Sequence, residues 1–354
     1  MRPLCCSNPG ATLSYLIGIG YFRRSVAMRK ANLVVVALLA SLAGAAAGEN
    51  LLPEFTGEWA NGGPYTTSGL KEKAVYLLLV ERGCPHCASL WPALGQFAQE
   101  MADEPVLVVG VLPGASKNAA ESYARANEIK VPLYADADRS FEQQLLAMNL
   151  LPKPISLQNT RQALVADGKG VLYRAMWSEP VQALKRVLTT ARWKVPAAEV
   201  VEPLKPAWRA MEFGQLSVSA PLIAQALKAR DEKVKSCAET LAKSVKTTIE
   251  ALLAEAKAKA EAGEKWAAYK ILMNVSNDYK DFPESKAAAT EMSKLKTDKV
   301  VAREAQARTA LDNIVTQMLK SPTPSKREQG KQYLQQLIQQ FPDTEAAAQA
   351  KGLL

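Results

Sequence analysis

Apolar positions along the chain follow two rhythms, with a change near residue 196. From 51 to 195, short unbroken apolar runs alternate with stretches of helical spacing. Ala74–Val80 (AVYLLLV) is bounded by charge, the pattern of a strand buried on both faces. Residues 105–111 (PVLVVGV) predict a second buried strand and 131–135 a third. Helices are expected over 88–101, 117–127 and 139–148. Residues 163–166 and 170–176, joined by Asp167-Gly168-Lys169, read as a hairpin, and 179–192 as a closing helix. Strands alternating with helices and then a hairpin imply an α/β fold, a mostly parallel central sheet with helices on both faces.

Beyond 206 the chain is rich in Ala, Lys, Glu, Gln and Leu at helical spacing, which predicts an all-α region over 207–354. Pro196, Pro203 and Pro206 mark a stiff linker over 196–206. Residues 279–285 (YKDFPES) and 339–344 (QQFPDT) align at an offset of 59, and an Ala-rich helix is expected after each. Together with 262–269 these units are similar to degenerate tetratricopeptide-like hairpins, which would offer a concave face to a protein partner. An irregular helical bundle or one long helical hairpin fits the same residues. Residues 249–262 predict an amphipathic helix facing a core.

The 44 Lys and Arg against 35 Asp and Glu give a net charge of +9, but its location matters. Residues 1–47 hold Arg2, Arg23, Arg24, Arg29 and Lys30 and no acid. Without them 39 basic and 35 acidic residues remain, a net of +4, so a nucleic-acid partner is not expected. Met28-Arg29-Lys30, the apolar run 33–47 and the Ala45-Ala46-Ala47 end have the layout of a signal peptide starting at Met28. The run is short for a membrane span, so no span is expected after cleavage. An uncleaved N-terminal anchor is the alternative. Cys5 and Cys6 would leave with the leader, and Cys84, Cys87 and Cys237 would remain in an exported, periplasmic or extracellular protein.

The chemistry concentrates in Gly83-Cys84-Pro85-His86-Cys87, at the first strand-to-helix junction. Two Cys three positions apart at a helix start can meet, and free N–H groups there stabilise a thiolate. Pro85 fits the first turn, where its missing donor costs nothing. His86 can add a positive charge or a hydrogen bond. A stabilised thiolate favours the dithiol and makes the disulfide more oxidising. Cys84 is expected as the exposed nucleophile and Cys87 as the resolving thiol. Half a zinc site and a purely structural disulfide compete with this reading. Neither is favoured, because no second Cys pair follows and a loop this short gains little from a crosslink. No metal or cofactor is expected. Trp91 and Cys237 read as packing residues.

Residues 51–195 resemble the thioredoxin-fold redoxin domains, the group of thioredoxins, peroxiredoxins and thiol reductases. The likeness rests on the strand–CxxC–helix unit, the extra strand–helix segment 131–148 and the hairpin ALVADGKGVLYR. It implies a mixed sheet flanked by helices, Cys84 as nucleophile, Cys87 as resolving Cys, and a protein thiol or disulfide as substrate. Three positions depart from the family pattern. Asn159-Thr160-Arg161-Gln162 stands where a cis-proline is usual. Leu78 replaces the buried acid, leaving Glu81 as the nearest carboxylate. No Thr precedes either Cys by three, as a peroxidase would require. Glu81 and Arg161 read as surface residues. The expected function is an exported thiol–disulfide oxidoreductase. A non-enzymatic scaffold is the main alternative and a peroxidase the weaker one.

Overall fold

The computed structural model describes residues 50–354, so the leader with Met28 and the 33–47 run lies outside the described residues. The apolar runs of the first half pair into a single sheet. Its strands are β1 (Glu58–Ala60), β2 (Ala74–Val80), β3 (Val106–Pro113), β4 (Leu133–Asp136), β5 (Arg161–Ala166) and β6 (Leu172–Ala175), in the order β1-β4-β3-β2-β5-β6. β2, β3 and β4 run parallel, and the other neighbours are antiparallel. Every residue of β2 is buried. Tyr76, Leu78 and Val80 join one core with Trp91, Phe97 and Leu184, whereas Val75, Leu77 and Leu79 join another with Phe141 and Leu145. Burying each such side chain contributes about 1.5–3 kcal/mol, which fixes the strand at the centre.

Five helices cover the two faces: α1 (Pro85–Ala88), α2 (Trp91–Glu100), α3 (Lys117–Ala126), α4 (Ser140–Ala147) and α5 (Pro180–Val187). The sheet order and its covering helices make this a thioredoxin-like α/β fold with a mixed sheet, as the resemblance implies; the mostly parallel sheet expected from the alternation alone is not found, because β1 and the terminal hairpin add three antiparallel pairs. The sequence does not anticipate β1, whereas Pro92 is placed where it can kink the expected 88–101 helix, and here the kink becomes a break between α1 and α2. β1 has three residues and pairs antiparallel with β4, Trp59 opposite Tyr134. The expected 88–101 helix breaks at Ser89-Leu90 because Pro92 has no N–H to give the Ala88 carbonyl. Gly110 in β3 settles where α2 lies. A Cβ there would stand 2.5 Å from Leu133 Cδ2 and 2.7 Å from Trp91 Cη2, so the missing side chain lets the indole rest on the strand.

The second half is helical throughout: α6 (Lys205–Glu212), α7 (Leu216–Ala226), α8 (Glu232–Glu261), α9 (Lys265–Asp278), α10 (Ser285–Lys296), α11 (Lys299–Ile314), α12 (Pro324–Gln340) and α13 (Glu345–Lys351). Asp231 caps α8, whose 30 residues extend about 45 Å. α8 packs on α9 and α9 on α10, while α11, α12 and α13 enclose a smaller core around Leu311, Leu334 and Phe341. The two similar segments repeat in detail. Ser285 Oγ donates to the Phe282 carbonyl and Thr344 Oγ1 to the Phe341 carbonyl, each at 2.8 Å. No helix among the described residues is long and apolar enough to cross a membrane.

The two halves are closely joined. Phe213, just past α6, is buried in the core that holds Leu77 and Phe141. Gly214 (φ +77°) crosses Gly69, and a Cβ on Gly214 would come within 2.6 Å of the Gly69 Cα. Lys73, before β2, and Glu212, ending α6, form a fully buried ion pair at 2.9 Å. Lys73 also donates to the Arg192 carbonyl, and Glu212 accepts from the backbone N–H groups of Lys194 and Val195. Trp193 lies among Lys73, Trp208 and Phe213. Within the Pro-marked segment, Val200 and Leu204 are buried in the helical core.

Candidate active site

The loop after β2 is pinned before the cysteines begin. Glu81 N–H donates to the Thr160 carbonyl at 2.7 Å, one step beyond the Val80–Arg161 pair that ends the β2–β5 ladder. The Glu81 carboxylate accepts from Gly83 N–H at 2.9 Å, and its carbonyl accepts from Cys84 N–H at 3.1 Å. This turn sets Cys84 at the N-cap of α1 in extended backbone, with Pro85 at the first helical position. One turn of helix then brings the two sulfurs to 2.7 Å, with both thiols free. Glu81 is thus a turn-holding acceptor, a role the sequence reading of a surface carboxylate does not contain.

The two thiols differ sharply. Burial opposes ionisation of Cys84, but hydrogen bonds outweigh it and hold the thiol below its ordinary value. They come from the Cys87 thiol and backbone N–H, the Thr160 hydroxyl and the His86 backbone N–H. Cys87 is fully buried, and burial together with its bond to Cys84 pushes it up to about 11. The Thr160 hydroxyl and the Arg161 charge act in the opposite direction. Thr160 occupies the place where a cis-proline is usual. Its carbonyl lies 3.5 Å from the Cys87 sulfur, and its side chain lowers the pKa of both thiols. The sequence names that position but not its work.

Two expectations change. Cys84 is expected to be exposed, yet it is only 6% exposed, because the turn folds its side chain into the core shared with Cys87 and Trp91. His86 is exposed and contributes through its backbone. Pro85 is also exposed. Trp91 is buried against Gly110, and its indole N–H donates to the Tyr123 hydroxyl at 3.1 Å. Burial, and the nearby cysteines after it, raise the pKa of that hydroxyl, while the indole bond lowers it. Cys237 is buried on α8 in the helical core, with its thiol 3.7 Å from the Glu199 carbonyl. Leu157 (65% exposed) lies beside Gly83, and Met176 (63%) and Trp177 (38%) follow β6. The Arg161 guanidinium lies 3.8 Å from the centre of the Trp177 ring.

Residues 49–175 match the model of the AhpC/TSA family. With the sheet order above, they mark the first half as a thioredoxin-fold redoxin domain. Among solved structures, the chain is similar to a thiol:disulfide interchange protein of the thioredoxin family from Chlorobium tepidum. Identity there is 18%, over 40% of this chain and 96% of that one, with a TM-score of 0.33. A thiol-disulfide isomerase from Corynebacterium glutamicum matches at 19% identity, over 39% of this chain and 96% of that one, with a TM-score of 0.32. A secreted disulfide oxidoreductase from Mycobacterium tuberculosis matches at 20%, over 38% and 95%, with a TM-score of 0.29. No curated protein matches the sequence.

Proposed function

We propose that the Cys84–Cys87 pair carries out thiol–disulfide exchange on protein substrates. The observation that carries this reading is the pairing itself: two free sulfurs 2.7 Å apart, one with its pKa lowered and the other with its pKa raised. In the reductive direction the Cys84 thiolate attacks one sulfur of a substrate disulfide, and the other substrate sulfur leaves as a thiolate. Cys87 then loses its proton to solvent and attacks the Cys84 sulfur. The mixed disulfide breaks, the second substrate thiolate leaves, and two electrons have passed to the substrate. In the oxidative direction the same steps run backwards from the Cys84–Cys87 disulfide. The lowered Cys84 pKa favours the dithiol and so supports an oxidising pair.

Exposed Leu157 beside Gly83, and exposed Trp177 under Arg161, support a polypeptide substrate. The leader-like sequence before residue 48 supports an exported protein, the compartment where such exchange is needed. The stacked helices of the second half would bind a protein partner. Reduction of insulin disulfides and oxidation of a reduced peptide, each measured with Cys84→Ser as control, test the reading. The native chain is expected to be active in at least one direction, and equal rates for the two proteins would refute it.

A further inference from the structure

Arg161 opens β5 opposite Val80, one residue beyond Thr160, whose carbonyl lies 3.5 Å from the Cys87 sulfur. It makes no salt bridge among the described residues. Its guanidinium lies over the Trp177 ring at 3.8 Å, while Trp177 stays 38% exposed. A free arginine side chain samples many rotamers, and water screens its averaged charge. Stacking on an indole is attractive and holds the guanidinium in one place. The indole therefore has a use other than filling a core.

We propose that the Arg161–Trp177 stack is a positioning device for Cys87. It holds a positive charge on the sheet face that buries Cys87, the face of Val80 and of Ala163 and Val165 on its own strand, and so speeds the second, intramolecular step of exchange. The proposal rests on the exchange reading but concerns one of its two steps. In that step Cys87 must give its proton to solvent before it can attack Cys84. The groups facing the pair are Cys84 and His86 on its own turn, Glu81 at the end of β2, Tyr123 on α3 and Arg161 on β5. Glu81 is already engaged by Gly83 N–H. Of these groups, Arg161 is the one whose positive charge lowers the Cys87 pKa against burial.

An aromatic disulfide that releases a coloured thiolate separates the steps, in a Cys237→Ala background. The first phase is Cys84 attack, which forms Cys84–S–S–aryl and frees one aryl thiolate. The second is Cys87 attack on the Cys84 sulfur, which frees the second aryl thiolate, leaves the Cys84–Cys87 disulfide and sends the Cys87 proton to solvent. Arg161→Gln is expected to slow the second phase about three- to tenfold at neutral pH and to move its pH midpoint upward, the scale of one partly screened charge. The first phase should keep its midpoint. Arg161→Lys should restore part of the rate, and Trp177→Ala should slow the second phase although the arginine itself is retained, because its guanidinium is no longer held. An unchanged second phase in Arg161→Gln, or equal slowing of both phases, overturns the proposal. If both phases respond as expected but insulin and peptide substrates are not turned over, the exchange reading fails while the positioning role stands. If the native protein shows no second phase, both fail.

Discussion

Removing the Glu212 carboxylate should cost more stability than any other single change at the junction of the two halves. Glu212→Ala would leave the Lys73 ammonium fully buried, with only the Arg192 carbonyl and the Trp193 face as partners. It would also strip the acceptor from the N–H groups of Lys194 and Val195, now bonded at 3.0 and 2.8 Å. Breaking a buried pair in this way costs about 3–5 kcal/mol. Unfolding entropy of about 2.1 cal/mol/K per residue, over the roughly 305 described residues, converts this to a fall in Tm of about 5–8 °C. Urea unfolding and calorimetry measure the loss. The paired variant Lys73→Met with Glu212→Leu removes both charges together. It should therefore lose at least about 1 kcal/mol less than the two single losses added. A Glu212→Ala protein within about 1 kcal/mol of the native chain, or strictly additive losses, would refute the reasoning.

The same structure makes predictions at the site. Alkylation of Cys84 should rise with pH around a midpoint below the ordinary thiol value of 9.0, with Cys87 reacting only near its higher value of about 11. Thr160→Ala should move both midpoints upward, because the hydroxyl lowers both thiols; unmoved midpoints would remove Thr160 from the site. For the reduced protein the sign follows from Cys87, whose folded pKa is raised. The unfolded chain ionises first, so this group's contribution to stability is lost as pH climbs from about 9 to about 11. Denaturant midpoints across that range should fall more steeply for reduced Cys87 than for Cys87→Ala, in which the buried tyrosines still oppose alkaline pH. Gly110→Ala would place a methyl against Trp91 and Leu133, costing about 1–3 kcal/mol and slowing Cys84 alkylation as α2 shifts. Unaltered Tm and alkylation rate would show that the indole can move aside freely.

The central strands are legible in the sequence because strands buried on both faces must be apolar at every position, as Ala74–Val80 is. The cysteine pair is legible because spacing and a helix start suffice to bring two sulfurs together. The rest depends on partners far away in the chain. β1 is too short to show alternation and gains its place from Tyr134, 75 positions beyond Trp59. Lys73 and Glu212 read as surface charges until the fold buries them against one another. Thr160 is unremarkable as a sequence letter, and its effect on two thiols comes from the β2–β5 register.

Phe213 shows that composition and packing place the seam of this molecule differently. The sequence changes character at 196, yet the ring that helps close the sheet's lower core comes from the far side of that change. A truncation at 195 would lose Phe213, the Glu212 carboxylate and the Gly214 crossing together. It would leave a void and an unpaired ammonium in the half that carries the two cysteines. A cut after 214 keeps all three, but bares Trp208 and Met211, which belong to the helical core. Beyond that point the exposed Lys320–Asp138 pair still ties the chain after α11 to the loop before α4.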